Sequence, residues 1–257
     1  MIWFLGDTHG SFRHVVEHLL EAKQDDRLPQ AIVFLGDLDC ARPLHVELDE
    51  IAGLTEIFWI PGNHDSDDNT AWNNLVCSDL AHRNLHCRIG QVGSSRVAGL
   101  GGVFRKKIWS PPDPPAFQTY DAWREALTGR RPTKDWGLAE MSEERRHKTS
   151  IFPDMVASLG AQRADILVSH EAPECRQDNR GWKAVGEIAR CLGVRYAFHG
   201  HHHDQPDYSS SFHRLGFQAY AVGFRGITAL SKDGGVSVLR PGDYDATDCS
   251  LWENSDD

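Results

Sequence analysis

The first ten residues, Met1-Ile2-Trp3-Phe4-Leu5-Gly6-Asp7-Thr8-His9-Gly10, hold the unit from which the rest of the chain is built. Ile2–Leu5 is a short, wholly apolar run, which reads as a strand, and Gly6–Gly10 reads as the turn that follows it. Phe12, Val15, Val16, Leu19 and Leu20 then recur at helical spacing, which predicts a helix from about Ser11 with Ser11 as its N-cap. The strand-then-polar-turn unit returns as Ile32-Val33-Phe34-Leu35 before Gly36-Asp37. It returns again as Ile57-Phe58-Trp59-Ile60 before Pro61-Gly62-Asn63-His64-Asp65. Ile166-Leu167-Val168 leads to Ser169-His170, and Tyr196-Ala197-Phe198 leads to Gly200-His201-His202-His203. Strands that are apolar on both faces and alternate with helices predict an α/β fold.

Around this frame, residues 85–102 are strand-like and glycine-rich, and residues 104–150 break the rhythm. Ser110-Pro111-Pro112-Asp113-Pro114-Pro115 reads as a loop, with helices expected over Tyr120–Leu127 and Met141–Lys148. A helix is expected near Trp182–Leu192, and two more strands near Gln218–Leu230 and Val236–Leu239. The resulting expectation is one domain over residues 1–242 with an insertion at about 104–150. A mobile tail over 243–257 follows, with six acids and no Lys or Arg.

The 257 residues are 40% hydrophobic and 25% charged, an ordinary globular composition. A formal charge of -10 disfavours a broad nucleic-acid surface. Residues 101–150, with ten Lys and Arg against seven Asp and Glu, keep nucleic acid open without favouring it. The six cysteines form no CxxC pair, which argues against a zinc ribbon or a disulfide framework and suits a reducing cytoplasm. No run is long enough to span a membrane, and Ile2–Leu5 leaves no room for a signal peptide, so a cytoplasmic location is expected.

The polar turns share one chemistry. Asp7, His9, Asp37, Asn63, His170, His201 and His203 offer carboxylate, imidazole and amide-oxygen ligands. Such a set suits manganese first, with iron, zinc or nickel as alternatives, and contains no thiolate. Ligands two residues apart, as in Asp7-Thr8-His9 and His201-His202-His203, point the same way from an extended segment. All seven follow strands and are expected at the carboxyl edge of one sheet. Asp37 is the natural carboxylate to bridge two ions.

Asp-x-His, Gly-Asp, Gly-Asn-His followed by an acid, a lone His and Gly-His-x-His occur here in that order, and this resembles the calcineurin-like metallophosphoesterase family from Asp7 to His203. The resemblance implies two packed mixed β-sheets flanked by helices, a four-layer sandwich. It implies that Asp7, His9, Asp37 and His203 hold one divalent ion and that Asp37, Asn63, His170 and His201 hold the other. It further implies a metal-bridging hydroxide that attacks phosphorus. His64 would protonate the leaving oxygen, and Asp65 would orient His64.

The implied substrate is a phosphodiester or phosphomonoester of a phosphorylated small molecule, nucleotide-like in one reading. Gly6-Asp7-Thr8-His9-Gly10 is also similar to the start of the protein serine/threonine phosphatase branch, which makes that activity an alternative. That branch continues GDxVDRG and GNHE, whereas this chain has Gly36-Asp37-Leu38-Asp39-Cys40-Ala41-Arg42 and Gly62-Asn63-His64-Asp65. The phosphate-gripping arginine would be displaced by one position to Arg42. A metal-binding interaction module without turnover is the other alternative.

Arg42 and Arg105 are the candidate substrate-binding residues. Arg105, Lys106 and Lys107, with Trp109, Trp123 and Trp136, form either a lid that selects a phosphorylated substrate or a solvated surface over a local core. His14-Val15-Val16-Glu17-His18 matches a metalloprotease pattern, but the helix periodicity places both histidines opposite the apolar face, in solvent. Alternation along the strand is expected to turn His199 and His202 away from the ligands.

Overall fold

The computed structural model describes residues 1–128, 136–176, 178 and 180–245, without the side chains of 128 and 136–140. Among the described residues the strands are β1 (Ile2–Leu5), β2 (Ala31–Phe34), β3 (Glu56–Trp59), β4 (Ile89–Val92), β5 (Ser95–Leu100), β6 (Ile166–Ser169), β7 (Tyr196–His199), β8 (Gln218–Ala221), β9 (Ile227–Leu230) and β10 (Val236–Arg240). The helices are α1 (Arg13–Gln24), α2 (Leu44–Glu47), α3 (Asn69–Val76), α4 (Tyr120–Thr128), α5 (Trp136–Arg146), α6 (Pro153–Gly160), α7 (Lys183–Leu192) and α8 (Phe212–Leu215). Among the described residues no helix is long and apolar enough to cross a membrane.

The strands form two five-stranded sheets, β10-β9-β1-β2-β3 and β4-β5-β6-β7-β8. In the first, β1, β2 and β3 are parallel and β9 and β10 are antiparallel additions. In the second, β5 to β8 are parallel and β4 is antiparallel. The apolar runs have no polar face because both faces are covered. Ile2 and Phe4 point between the sheets, where Phe4 stacks on Phe198 at 3.7 Å between ring centroids, in one core with Val33, Phe58 and Val168. Trp3 and Leu5 point the other way, into a core with Val15 and Leu19 of α1. The outer face of the second sheet packs on Val185, Ile188 and Leu192 of α7. The order of layers is thus helices, sheet, sheet, helices.

Several expectations need correcting. The run 218–230 is two strands in different sheets: β8 ends at Ala221, and the buried Gly223 and Gly226 lie in the crossing before β9 starts at Ile227. Alternation within a strand cannot reveal a change of sheet. The α1 helix starts one residue later than predicted, with Phe12 at the N-cap and no side-chain cap, so Ser11 does not cap it. His14 is buried, not solvated, because α1 is covered on more than its apolar stripe.

In the 104–150 segment, Trp123 packs into a local core with Ile108, Leu127 and Phe152, and Trp109 borders it. The side chain of Trp136 and the tail from 246 onward lie outside the described residues.

Candidate metal centre

The parallel strands end in register, Leu5 beside Phe34 beside Trp59 in the first sheet and Ser169 beside His199 in the second. Asp7, Asp37 and Asn63 therefore leave one sheet, and His170, His201 and His203 leave the other. They meet at the seam of the two sheets, not at the edge of a single sheet.

Two groups of ligand atoms each lie within 4.8 Å: His9 with Asp37 and His203, and Asp37 with His170 and His201. Asp37 belongs to both. Its Oδ2 is 3.3 Å from His170 Nε2 and 3.9 Å from His9 Nε2, while its Oδ1 accepts the His64 amide at 2.7 Å. Asp7 Oδ2 lies 3.6 Å from His203 Nε2 and accepts the His201 amide at 2.8 Å. Asn63 Oδ1 is 3.1 Å from His170 Nε2. All seven ligand candidates are brought together.

Hydrogen bonds fix which ring nitrogens face inward. His170 Nδ1 donates to the Leu35 carbonyl at 2.8 Å, so Nε2 faces the two oxygens of Asp37 and Asn63. His9 Nδ1 donates to Asp39 Oδ2 at 2.6 Å, which turns its Nε2 to within 3.4 Å of His203 Nε2. Carbonyl and carboxylate partners of this kind orient ligating imidazoles.

The interior also has unpartnered atoms. Asp7 Oδ1 and His201 Nδ1 are buried and have no hydrogen-bond partner. Oxygens and ring nitrogens that converge with lone pairs unanswered call for a cation between them, so the donor set fits metal.

Charge follows the same geometry. Burial pushes the Asp7 carboxyl up to about 7, with Asp37 adding to the rise and His170 opposing it. Burial works against a charged His170, but the Asp37 carboxylate outweighs it and carries the ring up to about 10. Burial would raise Asp37 too, yet His170 holds it well below the usual carboxylate range. Burial lowers His201 to about 3 and His203 to about 4, keeping both neutral and able to ligate.

The ligand segments are turns, not the extended stretches expected. His9, Asp37, His201 and His203 have φ of 41°, 49°, 73° and 63°, in the left-handed region. Glycines let them converge. A Cβ on Gly62 would land on the Asp37 carboxylate and amide, and one on Gly36 would strike the His170 ring. His202 is not turned away either: it groups with Glu171 and His201, and its Nε2 is buried without a partner. His199 does stand apart, bonded to Tyr208 Oη at 3.2 Å.

The expected partner of His64 is corrected. Asp65 is fully buried and accepts backbone amides: Leu38 and Asp39 on Oδ1, and Gly62 on Oδ2. It braces two ligand turns, while the carboxylate bonded to His64 Nδ1 is that of Asp67, at 2.7 Å. Arg42 is 62% exposed, bound to Glu47, and lines neither cavity beside Asn63. Arg105 is better placed. Its guanidinium donates to the Thr149 carbonyl at 2.8 Å, and with Asn63 it lines two cavities of about 660 and 720 Å³.

Sequence reasoning passed over Asp39, Asp67, Glu171 and the Phe224–Tyr244 stack, whose Phe224 ring lies 5.0 Å from His203. Asp39, Asp67 and Glu171 had a signal, each an acid one to three residues from a ligand or from His64.

Comparison with known proteins bears on what this geometry is for. The chain is 35% identical over 233 residues to an uncharacterized protein of Haemophilus influenzae, covering 88% of this chain and 92% of that one. The crystal structure of TT1561 of Thermus thermophilus superposes with a TM-score of 0.55 at 16% identity, covering 93% and 98% of the two chains. That likeness concerns fold. The family model described as calcineurin-like phosphoesterase matches residues 1–205, the span that contains all seven ligand candidates and His64. The chain belongs to the calcineurin-like phosphoesterase family.

Proposed function

We propose that the protein is a binuclear metal-dependent phosphoesterase acting on a phosphorylated small molecule, nucleotide-like in its simplest form. The observation that carries this reading is the sharing of Asp37 by two ligand groups, one with His9 and His203 and the other with His170 and His201. Asp7, His9, Asp37 and His203 would hold one ion, and Asp37, Asn63, His170 and His201 the other. Manganese is the first expectation for both. When bound, the ions activate water for attack on phosphorus and neutralise the phosphoryl oxygens.

The chain's own residues do the rest. Asp67 accepts the Nδ1 proton of His64 and fixes its ring, leaving Nε2 to carry a proton to the departing oxygen. Arg105, at the wall of both cavities, adds a fixed cation where a phosphoryl group would lie. The exposed, Glu47-bound Arg42 speaks against the protein phosphatase alternative.

The deciding experiment compares bis-aryl with mono-aryl phosphate under manganese, nickel and zinc, with metal content measured alongside. Turnover with about two ions per chain is expected. Two bound ions without turnover of either ester would favour the non-catalytic module.

A further inference from the structure

The cavity of about 720 Å³ is the only one of the two beside the centre that His64 lines. Its role rests on the phosphoesterase reading, in which His64 gives its proton to the leaving oxygen. The leaving group therefore projects into this cavity.

Its walls are markedly cationic. Arg105, Lys106, Lys107 and Arg146 face it, against the carboxylates of Asp67 and Glu143. Both carboxylates are engaged: Asp67 binds His64 at 2.7 Å, and Glu143 takes the Lys107 ammonium at 2.9 Å. Lys106 and Arg146 make no ion pair among the described residues.

A second, independent feature lies deeper. His147 lines the same cavity, is 2% exposed, and its Nε2 has no hydrogen-bond partner. Its Nδ1 is 2.8 Å from Ser150 Oγ, which itself accepts from Arg105 at 3.2 Å. His147 Nδ1 is the acceptor available to the Ser150 hydroxyl hydrogen among the described residues. That bond leaves the proton on Nε2, a buried donor with nothing to donate to. The nearest carboxylate, Glu143, is 3.9 Å away, beyond hydrogen-bond reach. An uncharged alcohol would leave the two cations unanswered, whereas a phosphate would answer both, and a turn of the His147 ring would bring its buried donor to the same group.

We propose that this cavity is a leaving-group subsite for a second phosphate, so that the substrate is a phosphoester or phosphoanhydride whose leaving group itself carries phosphate. Water adds its oxygen to phosphorus and the bond from phosphorus to the leaving oxygen breaks. The electron pair stays with that oxygen, His64 protonates it where it is an alkoxide, and the proton lost by water re-protonates His64. Lys106, Arg146 and His147 hold the phosphate of the departing fragment.

ADP and AMP make the test, because ADP releases a phosphate-bearing fragment whichever phosphorus is attacked, while AMP releases adenosine. With the full-length metal-loaded protein, the ratio of kcat/KM for ADP to that for AMP should fall about tenfold or more in Lys106→Ala/Arg146→Ala. Both side chains are exposed, and an unchanged melting temperature checks that the fold survives. Binding gives a readout free of turnover: α,β-methylene-ADP should bind the wild type about tenfold more tightly than AMP, and the double variant should lose that preference. An unchanged ratio, or equal losses on both nucleotides, overturns the subsite. Preferential binding without turnover of any phosphoester would sink the enzymatic reading and the leaving-group role while leaving a phosphate site. Absence of both would sink the two together.

Discussion

At the scale of single residues, four of the seven ligand candidates hold a backbone conformation that L-residues avoid. Asp37 has φ 49° and His201 has φ 73°. Such positions cost on the order of 1 to 3 kcal/mol each and persist where surrounding structure over-determines them. The strain can be separated from the chemistry. Asp37→Ala and Asp37→Gly both remove the shared carboxylate, and metal analysis should find both ions lost from each. The glycine variant should be the more stable of the two by about 1 kcal/mol in metal-free denaturant titrations, because only the backbone penalty differs. Equal stabilities would show that Asp37 is not strained.

Protons report on the same residues. Without metal, His170 holds its proton up to about 10 and Asp7 up to about 7. Both folded values are raised, so each group must shed a proton below its own value before it can ligate. Metal binding should therefore release more protons at pH 6 than at pH 8, and affinity should weaken as pH falls through 7. Calorimetry in buffers of different ionisation enthalpy measures this. A release independent of pH would contradict the Asp7 assignment.

At the scale of elements, the turn over residues 62–67 carries three different tasks in six positions. Asn63 faces the ligands, His64 faces the cavity of the 104–150 segment, and Asp65 points back into the scaffold. Substitutions should separate them. His64→Ala should slow an alkyl phosphodiester by about 10²- to 10⁴-fold and an activated aryl ester much less. Asp67→Ala should show the same selectivity at smaller size. Asp65→Ala should instead destabilise the protein by about 3 kcal/mol or more, since three buried amides lose their acceptor. A leaving-group dependence in Asp65→Ala greater than in Asp67→Ala would restore Asp65 as the partner of His64.

This turn also marks the limit of what the sequence discloses. Asn63, His64 and the ligands were legible because each follows an apolar run, and strand ends of one direction gather. Asp65 and Asp67 were not separable, because both lie within one turn of His64 and only the fold decides which carboxylate points at the ring. For the same reason His14 was misplaced: helical periodicity defines the stripe facing the core but not what else covers a helix. The consecutive strands β8 and β9 look like one segment in sequence, since a polar or glycine break does not tell whether the chain stays in its sheet.

At the scale of the whole molecule, the two sheets hold one another through the fully buried Phe4–Phe198 stack and the core around it. Phe198→Ala removes that contact and should cost about 3–5 kcal/mol. The same seam carries the ligands, four after strands of one sheet (Asp7, His9, Asp37 and Asn63) and three after strands of its partner (His170, His201 and His203). Metal binding should therefore stabilise the folded state as a unit, by about 2.7 kcal/mol when free metal is a hundredfold above its dissociation constant. Thermal unfolding with and without chelator checks it: an unchanged midpoint would mean that the ions sit on a preformed, independently stable surface.

The distribution of ligands along the chain also has a consequence in time. His9 and Asp37 lie near one end, but their group is not complete before His203, and the other group waits for His170 and His201. Strand β1 gains its neighbour β9 only at residues 227–230. About four-fifths of these 257 residues would thus have been made before either proposed ion had a full set of donors, so in that reading metal would close a nearly finished fold, as its clasp.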